Sequence, residues 1–320
     1  MTTHWVRALA ATCLVAAHAW AAAATVTALA PGVWWLPGRF VAGEQPDGNS
    51  VVFDAPDGLV IMDTGRHAAH SQALIDHIAH GGRPLAAIVN SHWHLDHIGG
   101  NATLKAAYPD AAVVASNAIE GARSGFLARY RDQLEAEINK LPAGAPGRDA
   151  MQGELAIISS RTAQTPTLVI DSTAARTLAG KPFVVGYEAD AVTAGDVWLF
   201  EPASRVLASG DLVTLPAPLF DTACPQRWGS ALGRLAEQPF EWLVPGHGAP
   251  MRRDQFQTYR RAYDGLVRCA ASSAAKSECI AGWMHDAGSL IPAGDAPLAR
   301  SLLDYYLDQL RAKPAALCPA

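Results

Sequence analysis

The chain has 320 residues, 50% of them hydrophobic and 17% charged, with a formal net charge of −5 when the histidines are neutral. That composition suits a globular protein able to bury a large core. No basic run occurs, so nucleic acid is not an expected partner.

The N-terminus carries the pattern of a secretory signal over residues 1–24. Arg7 gives it a positive start, and Ala8 to Ala17 form an apolar stretch too short to span a bilayer. Small residues offer cleavage after Ala19, Ala21 or Ala24. The expected location is therefore periplasmic or secreted, with no stable membrane span once the signal is removed. Residues 25–320 read as a single domain. The mature part keeps Cys224, Cys269, Cys279 and Cys318. An even count in an exported chain points to disulfides, and the short separation of Cys269 and Cys279 makes them the simplest pair. Cys224 with Cys318 would then tie the C-terminal tail to the body; free buried thiols are the alternative.

Along the chain, "GVWWLPG" and "NSVVFDAPDGLVIMDTG" read as strands, with a "PDG" turn. "AAHSQALIDHIAHGG" reads as a helix closed by glycine. His67, His70, His77 and His80 recur on one side of it at helical spacing, which suits a solvated face better than a metal site. "PLAAIVN" is a strand, "ATLKAAYP" a helix and "AAVVAS" a further strand. Residues 118–140 are helical, "LPAGAPGRD" is a loop, and "TLVIDSTAARTLAGKPFVVGYEADA" is strand-rich. "DVWLFEPASRVLASGD" forms a hairpin, "RWGSALGRLAEQ" a helix, and "EWLVPGHG" a strand running into a loop. The last 65 residues are mostly helical, with "APLARSLLDYYLDQLRA" the clearest amphipathic segment. Strands alternate with helices, so the expected class is α/β.

The chemistry concentrates in "SHWHLDHIGGN", which places three histidines and an aspartate between His92 and His97. If "PLAAIVN" delivers the cluster on a strand end, His92 and His94 point the same way at i, i+2. Asp96 and His97 follow as the chain turns. Imidazole nitrogen and carboxylate oxygen are zinc ligands, and this spacing suggests two adjacent metal positions.

"HWHLDH" followed by "GGN" resembles the signature of the metallo-β-lactamase-fold hydrolase superfamily. "IMDTG", "RVLASGDLV" and "LVPGHG" resemble its other conserved segments. The resemblance implies an αββα sandwich, here with a helical C-terminal extension. It implies metal ligands His92, His94, Asp96, His97, Asp211 and His247, with Asp211 bridging. Asp63 is expected to orient a ligand. Asp96 is the expected catalytic residue, steering the water and taking its proton while also ligating. The implied reaction is hydrolysis by a metal-bound hydroxide. Zinc is the implied cofactor, one or two ions; iron or manganese also accepts such ligands.

One departure stands out. The family supplies a further histidine before the bridging aspartate, and Val192 stands in that slot within "EADAVTAGDVWLF". A solvent-filled pocket is expected there, roomy enough for an introduced histidine. Asp190, and less well Glu188, could offer a carboxylate instead. Three states are open: metal only at the complete position, an altered pair using Asp190, or a degraded site.

Asp211 occupies the place where some β-lactamases of this kind use cysteine, which argues against that subgroup. The expected function is an exported hydrolase of an ester, thioester, lactone or lactam, acting on a small molecule. The alternative is a non-catalytic accessory protein of a periplasmic redox enzyme, since the chain also resembles quinoprotein-relay-type zinc metallohydrolases. Phe220 and Trp228 could line the substrate pocket, although core packing is the more ordinary role.

Overall fold

The computed structural model describes residues 25–40 and 44–312. The expected signal segment and Cys318 lie outside the described residues. Seven strands pair in chain order: β1 (Thr27–Ala30), β2 (Val33–Leu36), β3 (Ser50–Ala55), β4 (Gly58–Met62), β5 (Leu85–Val89), β6 (Ala112–Ala115) and β7 (Leu168–Val169). The pairing is antiparallel from β1 to β4 and parallel from β4 to β7. A five-stranded sheet follows: β8 (Ala174–Leu178), β9 (Lys181–Asp190), β10 (Ala194–Glu201), β11 (Val206–Ala208) and β12 (Trp242–Val244). It runs antiparallel from β8 to β11 and closes with the parallel pair β11–β12.

Strand alternation explains the layers. On β10, Val197 and Leu199 face the other sheet, while Trp198 and Phe200 face helices. On β3, Val51 and Phe53 point into the same inter-sheet layer, and Val52 points out. Phe53 and Phe183 meet edge to face between the sheets, with centroids 5.3 Å apart.

Helices α1 (Ala68–Gly81), α2 (Leu95–Ile98) and α3 (Asn101–Ala107) follow β4 and β5. Leu74, Ile78 and Leu104 from α1 and α3 cover the outer face of the larger sheet. Helices α4 (Ala118–Ser124), α5 (Phe126–Lys140), α6 (Arg148–Ser159) and α7 (Arg161–Gln164) lie between β6 and β7. The smaller sheet is covered by α8 (Pro225–Glu237), α9 (Arg253–Ala270), α10 (Lys276–Asp286) and α11 (Ala296–Ala312). On α11, Ala299, Leu303, Tyr306, Leu307 and Leu310 are buried, at the spacing of one helical face. The architecture is an αββα sandwich with a helical C-terminal region. Cys269 and Cys279 are bonded, tying α9 to α10. Phe220 and Trp228 are fully buried in the core beneath these helices, so packing is their role. Among the described residues, no helix is long and apolar enough to cross a membrane.

Helix α1 corrects one expectation. His67 and His80 are exposed, and His77 is partly exposed against Trp34, but His70 is buried. Its Nε2 lies 2.7 Å from Ser50 Oγ, joining the helix to β3. The face is wider than the periodicity suggests because Gly65 lies against the His70 ring: a β-carbon there would come within 2.4 Å of it.

Burial lowers the His70 pKa to about 4. An unfolded chain protonates it near pH 6.5, so its contribution is complete above that pH and is lost as pH falls toward 4. The loss across that window is up to about 3 kcal/mol. His70→Gln, which keeps a polar group near Ser50, should therefore flatten the fall in stability between pH 6.5 and 4. Urea unfolding of both proteins across that range checks this; parallel curves would show that His70 does not set the slope.

Candidate metal centre

The four strand ends that matter are those of β4, β5, β11 and β12. Each belongs to a parallel pair, and ligand sites in α/β sheets lie beyond such carboxyl ends. Asp63 follows β4, the histidine cluster follows β5, Asp211 sits in a 3-10 turn after β11, and His247 follows β12. Backbone hydrogen bonds draw these ends together. Val197 N donates to Ser91 O (2.6 Å), Gly246 N to Gly210 O (2.8 Å), and Gly48 N to Asp96 O (2.9 Å). Asn49 Nδ2 donates to the carbonyls of Pro245 and Gly248, both at 2.8 Å.

His92 and His94 do not share a strand face. Strand β5 ends at Val89; His92 lies in the loop beyond it, and His94 caps α2 with φ −65° and ψ 144°. Their rings meet at 4.5 Å because the loop folds back, not because of strand alternation. Asp96 and His97 occupy the first turn of α2.

The structure gathers the six expected ligands into two groups: His92, His94 and Asp211, and Asp96, His97 and His247. In each group the ligand atoms lie within 4.8 Å of one another. Asp211 stands between them. Its Oδ1 is 3.2 Å from His97 Nε2 and 3.5 Å from His247 Nε2, and its Oδ2 is 3.8 Å from His92 Nε2. His247 Nε2 is 3.0 Å from Asp96 Oδ2. Two glycines make this approach possible. A β-carbon on Gly246 would lie 1.9 Å from Asp211 Oδ1, and one on Gly48 would lie 2.5 Å from the His97 ring.

These residues fit a divalent metal on their own chemistry. The Nε2 atoms of His92, His97 and His247 and both oxygens of Asp211 are buried without a hydrogen-bond partner. Leaving such groups unpaired costs about 1–3 kcal/mol each, and a shared cation satisfies them together. Burial keeps His92 well below its usual pKa and lowers His94 to about 4, so both are neutral at pH 7 and have a lone pair to give. His97 goes the other way: burial opposes protonation, but Asp211, Asp96 and Asp63 raise it well above the usual value. Asp96 and Asp211 are both lowered, because His97 and His247 outweigh the burial that would raise them.

Asp63 orients the cluster, in a backbone conformation with φ 61° that non-glycine residues rarely adopt. Its Oδ1 accepts from Ser91 N (2.7 Å), and its Oδ2 accepts from Ser91 Oγ (2.7 Å) and faces His97 Nδ1 (2.8 Å). Ser91 Oγ in turn is 2.9 Å from His92 Nδ1. Arg66, absent from the sequence reading, is buried beside Asp96 at 3.7 Å and bonded to Glu154 at 2.8 Å.

The substitute carboxylates are not at the centre. Asp190 pairs with Arg227 near the surface end of β9. Glu188 is buried but committed to Arg234 Nε and Trp198 Nε1. On the twisted hairpin both side chains point toward α8, away from the histidines. Val192 is 1% exposed and packs in the core under α8–α11, so no solvent-filled pocket awaits a histidine there. Its turn is fixed by Asp196, which accepts from Val192 N (2.9 Å), Thr193 N (3.0 Å) and Thr193 Oγ1 (2.8 Å). Burial nevertheless pushes the Asp196 carboxyl up to about 7. The group containing His92 and His94 is completed by Asp211 instead.

Comparison with known proteins agrees with this geometry. A linear primary-alkylsulfatase from Pseudomonas sp. (strain ATCC 19151) is 24% identical over 218 residues, 62% of this chain and 41% of that one. The chain thus spans less than half the length of that relative. A solved metallo-beta-lactamase from Pontibacter korlensis matches with TM-score 0.55 and 19% identity, covering 75% of this chain and 99% of the other. The stereoselective inverting sec-alkylsulfatase Pisa1 from Pseudomonas sp. matches with TM-score 0.59 and 20% identity, covering 93% of this chain and 52% of the other. These structural likenesses concern the fold. The family model of the metallo-beta-lactamase superfamily matches residues 44–247, a span that contains all six gathered residues, and the chain belongs to that superfamily.

Proposed function

We propose that this protein is an exported metal-dependent hydrolase of an uncharged acyl compound: an ester, thioester, lactone or lactam carrying an apolar group. The observation that carries the hydrolase reading is the set of buried, unpartnered ligand atoms on His92, His97, His247 and Asp211. Zinc is the proposed metal; bound there, it would acidify water and polarise the oxygen of the scissile group. The chain's own residues do the rest. Asp96, in the first turn of α2, holds a carboxylate beside His247 and Arg66 and is the proposed proton acceptor. His97, His247 and Arg66 together keep that carboxylate ionised against its burial, and the bond from Arg66 to Glu154 commits the guanidinium away from substrate.

The substrate preference rests on two aromatic rings. His94 is the only partly exposed member of the two groups, so the centre opens on its side. There Phe126 is 38% exposed, with its ring 6.5 Å from His94 and 5.5 Å from Trp93. At the opposite end Phe40 lies 5.2 Å from His247. Apolar rings at both ends favour a substrate with an alkyl or aryl group. Alkyl sulfates, suggested by the names of two relatives, share that feature but bring a charged head. Export is supported by the N-terminal pattern and by the Cys269–Cys279 bond, which persists in oxidising compartments.

Metal analysis of the protein purified after export tests the centre. One to two zinc ions per chain are expected. Asp211→Ala should remove tight binding altogether, because Asp211 reaches both groups; His247→Ala should cost more than His92→Ala, since its group is the fully buried one. Equal losses for the last two would overturn the ranking.

Turnover on a panel of acyl esters, thioesters, lactones, lactams and alkyl sulfates tests the substrate class. Phe126→Ala should raise KM for long-chain or aryl acyl substrates by roughly tenfold, the value of one lost apolar contact, with kcat little changed. Cleavage confined to alkyl sulfates would move the assignment to the sulfatases. Metal binding with no turnover on any class would favour the accessory role beside a redox enzyme.

A further inference from the structure

Thr222 lies in the loop between β11 and α8, far in sequence from the histidine cluster. Its Oγ1 is 3.1 Å from His94 Nε2 and donates to the main-chain oxygen of Val192 at 2.9 Å. A hydroxyl has one proton, and a carbonyl can only accept. With that proton given to Val192, Thr222 can face His94 only as an acceptor. His94 Nε2 then carries the hydrogen, and Nδ1 is left with a free lone pair.

We propose that Thr222 is a positioning residue of the metal centre, holding His94 in its Nε2–H form through an anchor on the Val192 carbonyl. The inference rests on the metal-centre reading given above. Two neighbouring imidazoles are held by the same logic. Ser91 Oγ gives its proton to Asp63 and accepts from His92 Nδ1; Asp63 itself accepts from His97 Nδ1. His94 is thus the third ring with one nitrogen fixed by an acceptor and the other left for a ligand.

The anchor is rigid. Asp196 fixes the main chain at Val192 and Thr193, and Cys224 N donates to Ala191 O at 2.8 Å, clamping the Thr222 loop onto the same turn. Val192 therefore contributes its carbonyl to the centre while its side chain packs in the core. A valine suffices at this position because only the backbone is used.

Zinc affinity measured by competition with a chelator, together with nitrogen NMR of the histidine rings, tests the proposal. Thr222→Val should weaken zinc binding at the group containing His94 by about 10- to 100-fold, the usual effect of losing a partner that orients a ligand. Thr222→Ser should restore most of it. In wild-type protein, with or without zinc, His94 should carry its hydrogen on Nε2. A Thr222→Val protein that binds zinc as tightly as wild type would overturn the proposal, as would a hydrogen on Nδ1. If Thr222→Val does not fold, the wild-type ring spectrum decides. If the wild type takes up no zinc, the metal reading fails while the spectrum still decides the role of Thr222.

Discussion

Everything around the centre answers one cost: four imidazoles and two carboxylates are held together, mostly out of water, at the ends of two sheets. Such groups repel solvent removal strongly and favour it only when a cation or a full set of hydrogen bonds satisfies them. The protein leaves several of the inward-facing atoms unpaired and pairs the outward nitrogens of His92, His94 and His97, while both nitrogens of His247 stay unpaired. That division is what separates a metal centre from a buried polar network. A network would have closed on itself; this one is closed on the outside at three of its four rings and open toward its own middle.

The two sheets make the arrangement possible. Each contributes a parallel strand pair whose carboxyl ends meet at the same edge. The inter-sheet layer of Val51, Phe53, Val185 and Leu199 fixes the distance between those ends. Glycines at 48 and 246 let backbone reach ligand atoms that any side chain would displace. The positive φ of Asp63 is strain in the same service, since it turns one carboxylate onto both Ser91 and His97.

Much of this was legible in the sequence, for definite reasons. The short apolar runs of β3, β4 and β10 mark strands buried on both sides, and helical spacing on α11 marks its buried face. The spacing from His92 to His97 marks a metal motif because few other uses justify so many imidazoles in six residues. What could not be read depends on tertiary closure. The i, i+2 argument for His92 and His94 fails because β5 ends before them, and a loop gives no periodic signal. Nearness in sequence made Asp190 and Glu188 look available, but arginines on α8 claim both. His70 matched a solvated face by period, while the close approach of Gly65 and the bond to Ser50 are contacts between separate elements. Thr222 had no signal at all, because its partner is 128 residues away.

The missing imidazole at the Val192 position is less damaging than ligand counting suggests, and charge shows why. Imidazole binds a metal as a neutral donor, so the charge offered to a cation comes from Asp96 and Asp211, two negative charges that a single divalent ion balances. Asp63 is already engaged with Ser91 and His97, and Arg66 offsets much of the field at Asp96. An added histidine would bring another neutral donor and no charge, so it would sharpen geometry without changing the balance that makes cation burial favourable. Asp211 supplies what an imidazole could not: one group whose two oxygens reach ligand atoms of both sets. The centre therefore depends on a shared carboxylate at the end of β11 more than on the number of histidines. The loop that carries Val192 is free to serve the core with its side chain and the centre with its backbone.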